Sequence, residues 1–181
     1  MAKSFTEFLM PAYVALLRAV NVGGTGRLPM AELKALCEAE GHTQVQTYIA
    51  SGNVVFCSRA SAAAIKAGLE ARLQLCVGKA VGVFLRTAAE LHDVLQANPF
   101  PDAPFSRVMV HFLHDRPPLD ALDHLKGRQR EELKLGHCEI YVHYPDGLGS
   151  SKLVLPAAKT GTGRNLNTVA KLAELASQVS A

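Results

Sequence analysis

The chain has 181 residues, 49% of them hydrophobic and 19% charged, with 19 Lys and Arg against 16 Asp and Glu for a formal net charge of +3. A chain this apolar buries enough surface to offset its ordering entropy, which excludes a disordered, collagenous or fibrous protein. The cations are spread along the sequence and form neither a polybasic arm nor a dedicated DNA-binding stripe, and the length allows one domain or two.

The first residues, MAKSFTEFLMPAY, are interrupted by Thr6, Glu7 and Pro11 and lack the continuous apolar region of a secretory signal. No stretch approaches the roughly 20 apolar residues of a membrane span. The expectation is a soluble, cytoplasmic protein with no membrane contact. Tyr13 to Ala19 (YVALLRA) is rich in strand formers and runs into a glycine-rich turn, Val22 to Gly26. A helix follows from Pro29, with Leu33, Leu36 and Cys37 at helical spacing, and Gly41 ends it. Gln44 to Ala50 and Asn53 to Ser58 alternate at period two around Ser51-Gly52, which predicts a hairpin. Ser61 caps a helix to about Cys76, carrying Ile65, Leu69, Leu73 and Cys76 on one stripe, and Ala80 to Arg86 is a fourth strand.

The order β-α-β-β-α-β is that of a ferredoxin-like unit, a four-stranded antiparallel sheet with two helices on one face. Thr87 to Glu90 forms a capping box opening a helix through Gln96, and the proline-rich NPFPDAPF (Asn98 to Phe105) supplies a linker. Beyond it the pattern predicts a strand at Arg107 to Leu113, a helix near Leu119 to Lys126, strands near Glu131 to Lys134 and Cys138 to Tyr144, and helices from about Ser151 and Asn167. The predicted fold class is therefore α+β, with two ferredoxin-like subdomains in tandem. Residues 1–98 form the first with its trailing helix, 99–106 the linker and 107–181 the second. That second copy is incomplete, because a C-terminal helix stands where its fourth strand belongs.

Two polar clusters carry chemistry. Arg18 to Arg27 places glycines at a strand exit between two arginines and Asn21; glycine-rich turns cup anions with backbone N–H groups, and arginine binds phosphate or carboxylate bidentately. It is neither a Walker loop nor GxGxxG. An ordinary strand-to-helix connection needing glycine for its dihedrals is the alternative. Lys159 to Thr168 leads into the last helix, where Asn165 or Asn167 is a candidate cap, and Arg164 stands beside a helix N-terminus that attracts anions. Here a plain cap with a solvated arginine is the alternative. A third, weaker feature is the strand Cys138 to Tyr144. Glu139, Tyr141 and His143 share one face, expected to be the open face of the second sheet with Arg107 and His111, and such a face resembles a single-stranded RNA platform.

Cys37, Cys57, Cys76 and Cys138 show no metal-chelating spacing and are expected to be reduced core residues. No histidine pair has zinc-helix spacing and no nucleophile triad can be assembled, so neither metal nor cofactor is expected and no catalytic residue is nominated.

Three blocks, Tyr13 to Phe56, YPDGLGSSKL (Tyr144 to Leu153) and GRNLNTVAKLAEL (Gly163 to Leu175), together resemble the bacterial domain of unknown function 1697 family. The resemblance implies two ferredoxin-like subdomains and a family without an established activity. Its recurring residues correspond here to Arg18, Asn21, Gly23, Gly24, Ser51, Gly52, Asn53, Ser151, Lys152, Arg164, Asn165, Asn167 and Thr168; Leu166 stands where Trp is common and Thr25 where Lys is common. Adding Arg27, these residues are expected to bind ligand in one cleft where Arg18, Arg27, Lys152 and Arg164 meet. The expected occupant is a phosphorylated small molecule, a nucleotide or a nucleic-acid segment. An enzyme using the same cleft and an interaction module without ligand are the alternatives, and the sequence is silent on oligomeric state.

Overall fold

In the computed structural model, which describes residues 10–21 and 27–179, the first apolar run forms β1 (Ala12–Leu17) at the interior of a sheet. Its near-continuous hydrophobicity has a simple cause: both faces are covered. β1 pairs antiparallel with β3 (Asn53–Cys57) on one side and β4 (Val83–Thr87) on the other, and β2 (Thr43–Thr47) adds to β3, giving the order β2-β3-β1-β4. The helices α1 (Met30–Ala39) and α2 (Ala62–Val77) bury Leu33, Cys37, Ile65, Leu69 and Leu73 against Ala15, Leu17, Val54 and Phe56 of one face. Ser61 accepts the N–H of Ala64 as the expected cap, and Gly41 and Gly78 end the two helices with φ of +84° and +77°. Cys76 departs from the expected stripe: it is exposed, and its thiol donates to the Glu32 carboxylate.

The Thr87 capping box forms as the sequence predicts and opens α3 (Ala88–Gln96). Across the proline-rich segment the chain builds β5 (Val108–Phe112), β6 (Glu132–Leu135), β7 (Glu139–His143) and β8 (Thr162–Asn165), followed by α4 (Leu166–Val179). Here the sequence expectation is corrected in three places. A fourth strand exists: β8 joins β5 to give a complete sheet of order β6-β7-β5-β8, so the C-terminal helix follows that strand instead of replacing it. Its sequence, TGRN, carries no apolar alternation, and pairing with β5 supplies what propensity does not. No helix forms at Leu119 to Lys126, where successive turns follow Pro118 and Leu119 is left 95% exposed; so short a segment lacks the contacts that offset helix nucleation. Nor does a helix start at Ser151. Lys126 and Val154 instead exchange backbone hydrogen bonds as an isolated bridge.

The two sheets share a central core. Val14, Leu16, Val55 and Phe84 of the first sheet and Val108, Val110, Phe112 and Tyr141 of the second close on a layer made of α3 and α4, whose Leu91, Leu166, Val169, Leu172 and Ala173 are buried. The expected open face of the second sheet is therefore corrected as well. Tyr141 is 2% exposed, and its hydroxyl donates to the Val94 carbonyl of α3. Register also separates the expected partners: Val110 lies opposite Tyr141, so His111, opposite Ile140, faces the other way, while Arg107 precedes the strand and donates to the Pro145 carbonyl.

Candidate functional site

The hairpin turn between β2 and β3 is forced into contact with the end of β1. Gly52 has φ +82°, and a Cβ there would lie 2.5 Å from Val20 Cγ2 and 2.9 Å from Leu17 Cβ, so the close approach depends on glycine. The Leu17 N–H donates to the Gly52 carbonyl at 2.8 Å. Asn53, fully buried, donates through Nδ2 to the Tyr48 carbonyl and the Ser51 hydroxyl, both at 2.9 Å. These bonds lock the turn and aim Asn53 Oδ1 at the second sheet.

Arg164 meets it there. On β8 it shares a face with Thr162, and its guanidinium donates to Asn53 Oδ1 at 2.6 Å, Thr162 Oγ1 and the Gly163 carbonyl at 2.8 Å, and the carbonyls of Leu17, Ser51 and Gly52 at 2.9, 3.0 and 3.3 Å. These acceptors engage the whole N–H set of the side chain. Arg164 is 7% exposed, and burial lowers its pKa to about 10, which leaves it charged at neutral pH. Every acceptor is neutral: the charge is held by backbone and side-chain oxygens, without a carboxylate among the described residues. Arg164 thus ties the first sheet to the second. Its guanidinium is engaged by these acceptors and not by the α4 N-terminus, which is capped by Asn165 Oδ1 accepting the Thr168 N–H at 2.9 Å; Thr168 is buried and Asn167 exposed.

Around this staple the remaining residues fall into two groups. Arg18 is the first residue beyond β1 and is exposed, where the sequence placed it inside the strand; its guanidinium donates to the Lys159 carbonyl at 2.8 Å. Asn21 accepts the Leu28 N–H at 2.7 Å and donates to the carbonyls of Leu28 and Ala50, both at 2.8 Å, joining the exit of β1 to the approach to α1 and to the hairpin turn. Gly23, Gly24 and Thr25 lie outside the described residues. Arg27 is exposed, and Leu166 is buried in the central core.

Ser151 and Lys152 belong elsewhere. Ser151 donates to the buried Glu131 carboxylate, which also accepts the Gln129 N–H, and these bonds hold Glu131 below the usual carboxylate range. Glu131 immediately precedes β6, the edge strand opposite β8, so three strand spacings, on the order of 14 Å, separate it from the Arg164 edge. Arg18, Asn21, Ser51, Gly52, Asn53 and Arg164 come together; Ser151 and Lys152 do not join them.

A second concentration of polar groups has no signature in the linear sequence. Arg86 of β4 pairs with Glu139 of β7 inside a crevice between the sheets, beside His114, His137 and Asp93. These residues come from separate elements, so no local spacing could reveal them.

A family model described as a protein of unknown function, DUF1697, matches residues 10–141. The chain belongs to this family. A solved structure, described as that of the conserved bacterial protein SP0830 from Streptococcus pneumoniae, is similar to this chain with a TM-score of 0.75 and 24% identity, covering 92% of this chain and 99% of the other. That likeness extends through both sheets and speaks to fold. No curated protein matches the sequence.

Proposed function

We propose that the protein binds a phosphorylated small molecule or nucleotide at the junction of its two sheets, where Arg18, Arg27 and Lys159 are the contacting cations and Arg164 is a positioning residue. The observation that carries this reading is charge without compensation. None of Arg18, Arg27, Lys159 and Arg164 has an ion-pair partner among the described residues, although Arg164 is buried. Carbonyl dipoles satisfy its hydrogen bonds without cancelling its charge, so the positive potential reaches the exposed rim. Asn21, bonded to Leu28 and to the Ala50 carbonyl of the hairpin turn, links the residues on either side of positions 22–26 to the junction. This reading leaves out Ser151, whose hydroxyl donates to Glu131 ahead of the opposite edge strand of the second sheet, and with it the neighbouring Lys152.

The same reading takes the architecture as two ferredoxin-like units in tandem, joined at 99–106. Each sheet places its strands in the order second, third, first, fourth, which supports the repeated plan. In the cytoplasm the junction would meet free nucleotides and sugar phosphates.

The test is calorimetric and thermal titration with a panel of nucleotides, sugar phosphates and short oligonucleotides, on the unaltered protein and on Arg18→Ala. A ligand at a hundredfold excess over its Kd should stabilise the fold by about 2.7 kcal/mol. Arg18→Ala removes an exposed side chain with one hydrogen bond, so it should leave the free protein's Tm unchanged while weakening binding about tenfold. A panel with no stabilising compound, or equal binding by the variant, would overturn the proposal.

A further inference from the structure

Between β4 and α3 on one side and the start of β7 on the other lies a crevice of about 320 Å³, toward the small end of ligand sites. Its floor is bipolar. Arg86 reaches Glu139 Oε1 at 3.4 Å, with the two side chains 12% and 7% exposed, and its carbon lies 5.3 Å from the centre of the Phe112 ring. Arg86 also donates to the Leu85 and Leu113 carbonyls at 2.9 and 3.0 Å, while its Nε–H has no acceptor among the described residues and is not sealed from solvent. The second Glu139 oxygen accepts the Cys138 N–H at 3.0 Å. On the wall, Asp93 is exposed and its carboxylate has no partner among the described residues, whereas Glu90 is held in the Thr87 capping box. His114 stacks on Phe84 with ring centres 4.0 Å apart, and burial lowers its pKa, so it adds little positive charge at neutral pH.

Three carboxylates against one guanidinium leave the crevice negative overall, yet the guanidinium retains an unused donor. A simple anion would meet the acidic wall, and a simple amine would leave that donor idle. We propose that this crevice binds a free basic amino acid, its carboxylate on Arg86 and its cationic groups against Asp93 and Glu90. This site is separate from the sheet junction, so neither reading depends on the other.

Histidine ring resonances provide the readout, because His114 and His137 line the crevice. L-arginine, L-lysine, agmatine, which lacks the carboxylate, and succinate are titrated to about 10 mM into the protein, Asp93→Asn and the exposed control Asp120→Asn, which does not line the crevice. L-arginine or L-lysine should shift both rings saturably, agmatine about tenfold more weakly, and Asp93→Asn should lose about tenfold in affinity while Asp120→Asn loses none. Absence of a saturable shift with either amino acid, agmatine binding as tightly as L-arginine, or equal losses in the two aspartate variants would overturn the proposal.

Discussion

Replacing Arg164 by methionine tests the physical account of the sheet junction most directly. The side chain's hydrogen bonds reach six acceptors, but these are not equivalent. The Leu17 carbonyl retains the Thr162 hydroxyl and the Gly52 carbonyl retains the Leu17 N–H. Asn53 Oδ1 and the Ser51 carbonyl have no other donor among the described residues. Leaving each unsatisfied costs about 1–3 kcal/mol, so two give a loss centred on about 4 kcal/mol, offset in part by removal of a desolvated cation. Against a total of about 5–15 kcal/mol this is a large fraction. Urea denaturation followed by circular dichroism measures it, and Asn53→Ala made in both backgrounds completes a double-mutant cycle. The expected coupling between the two positions exceeds about 1 kcal/mol, because the Asn53 oxygen loses its purpose once Arg164 is gone. If the methionine variant does not fold, Arg164→Lys, which keeps the charge but offers fewer donors in a different geometry, should lose about half as much. A loss below about 1 kcal/mol, or additive effects in the cycle, would refute the reasoning.

Two further outcomes follow from the same geometry. His111 is held down to about 4 by burial, with its Nε2 unpaired among the described residues; a depressed histidine destabilises the fold as pH falls, so its contribution is intact above 6.5 and lost progressively toward 4. Between pH 7.5 and 5 this histidine alone should account for about 2 kcal/mol of lost stability, and His111→Leu should flatten the measured stability profile over that window; an unchanged profile would contradict the assignment. Gly52→Ala places a Cβ 2.5 Å from Val20 at φ +82° and should cost at least about 2 kcal/mol by thermal denaturation, whereas a neutral result would mean that the turn moves freely away from β1.

Much of the first sheet was legible because its signals are local. Ser61 and Thr87 announce their helices by side chains that reach the next turn, Gly41 and Gly52 occur where φ is positive, and the Ser51-Gly52 turn separates two alternating runs. The second sheet was legible only in part. β8 carries glycine, arginine and asparagine, residues of a loop by propensity, and becomes a strand because β5 offers it a free edge. Leu119, Leu122 and Leu125 look helical in spacing, yet the chain turns and bridges to Val154 instead.

The candidate site divides along the same line. Local pattern singled out Arg18, an arginine in an apolar run, with Asn21 and the glycines at its strand exit, and Arg164 before the last helix, while Gly52 and Asn53 entered as site residues through the family resemblance. Whether those residues meet, and in what role, was a tertiary matter. Docking the two sheets set Arg164 against carbonyl oxygens of the first and made it a buried tie, left Arg18 and Arg27 exposed, and removed Ser151 and Lys152 to the far edge. The same docking assembled Arg86, Glu139 and Asp93 from separate elements into a crevice that no linear motif contains. Side-chain type is a property of the chain, but charge compensation and burial are properties of neighbours, and most of these neighbours lie far apart along the sequence.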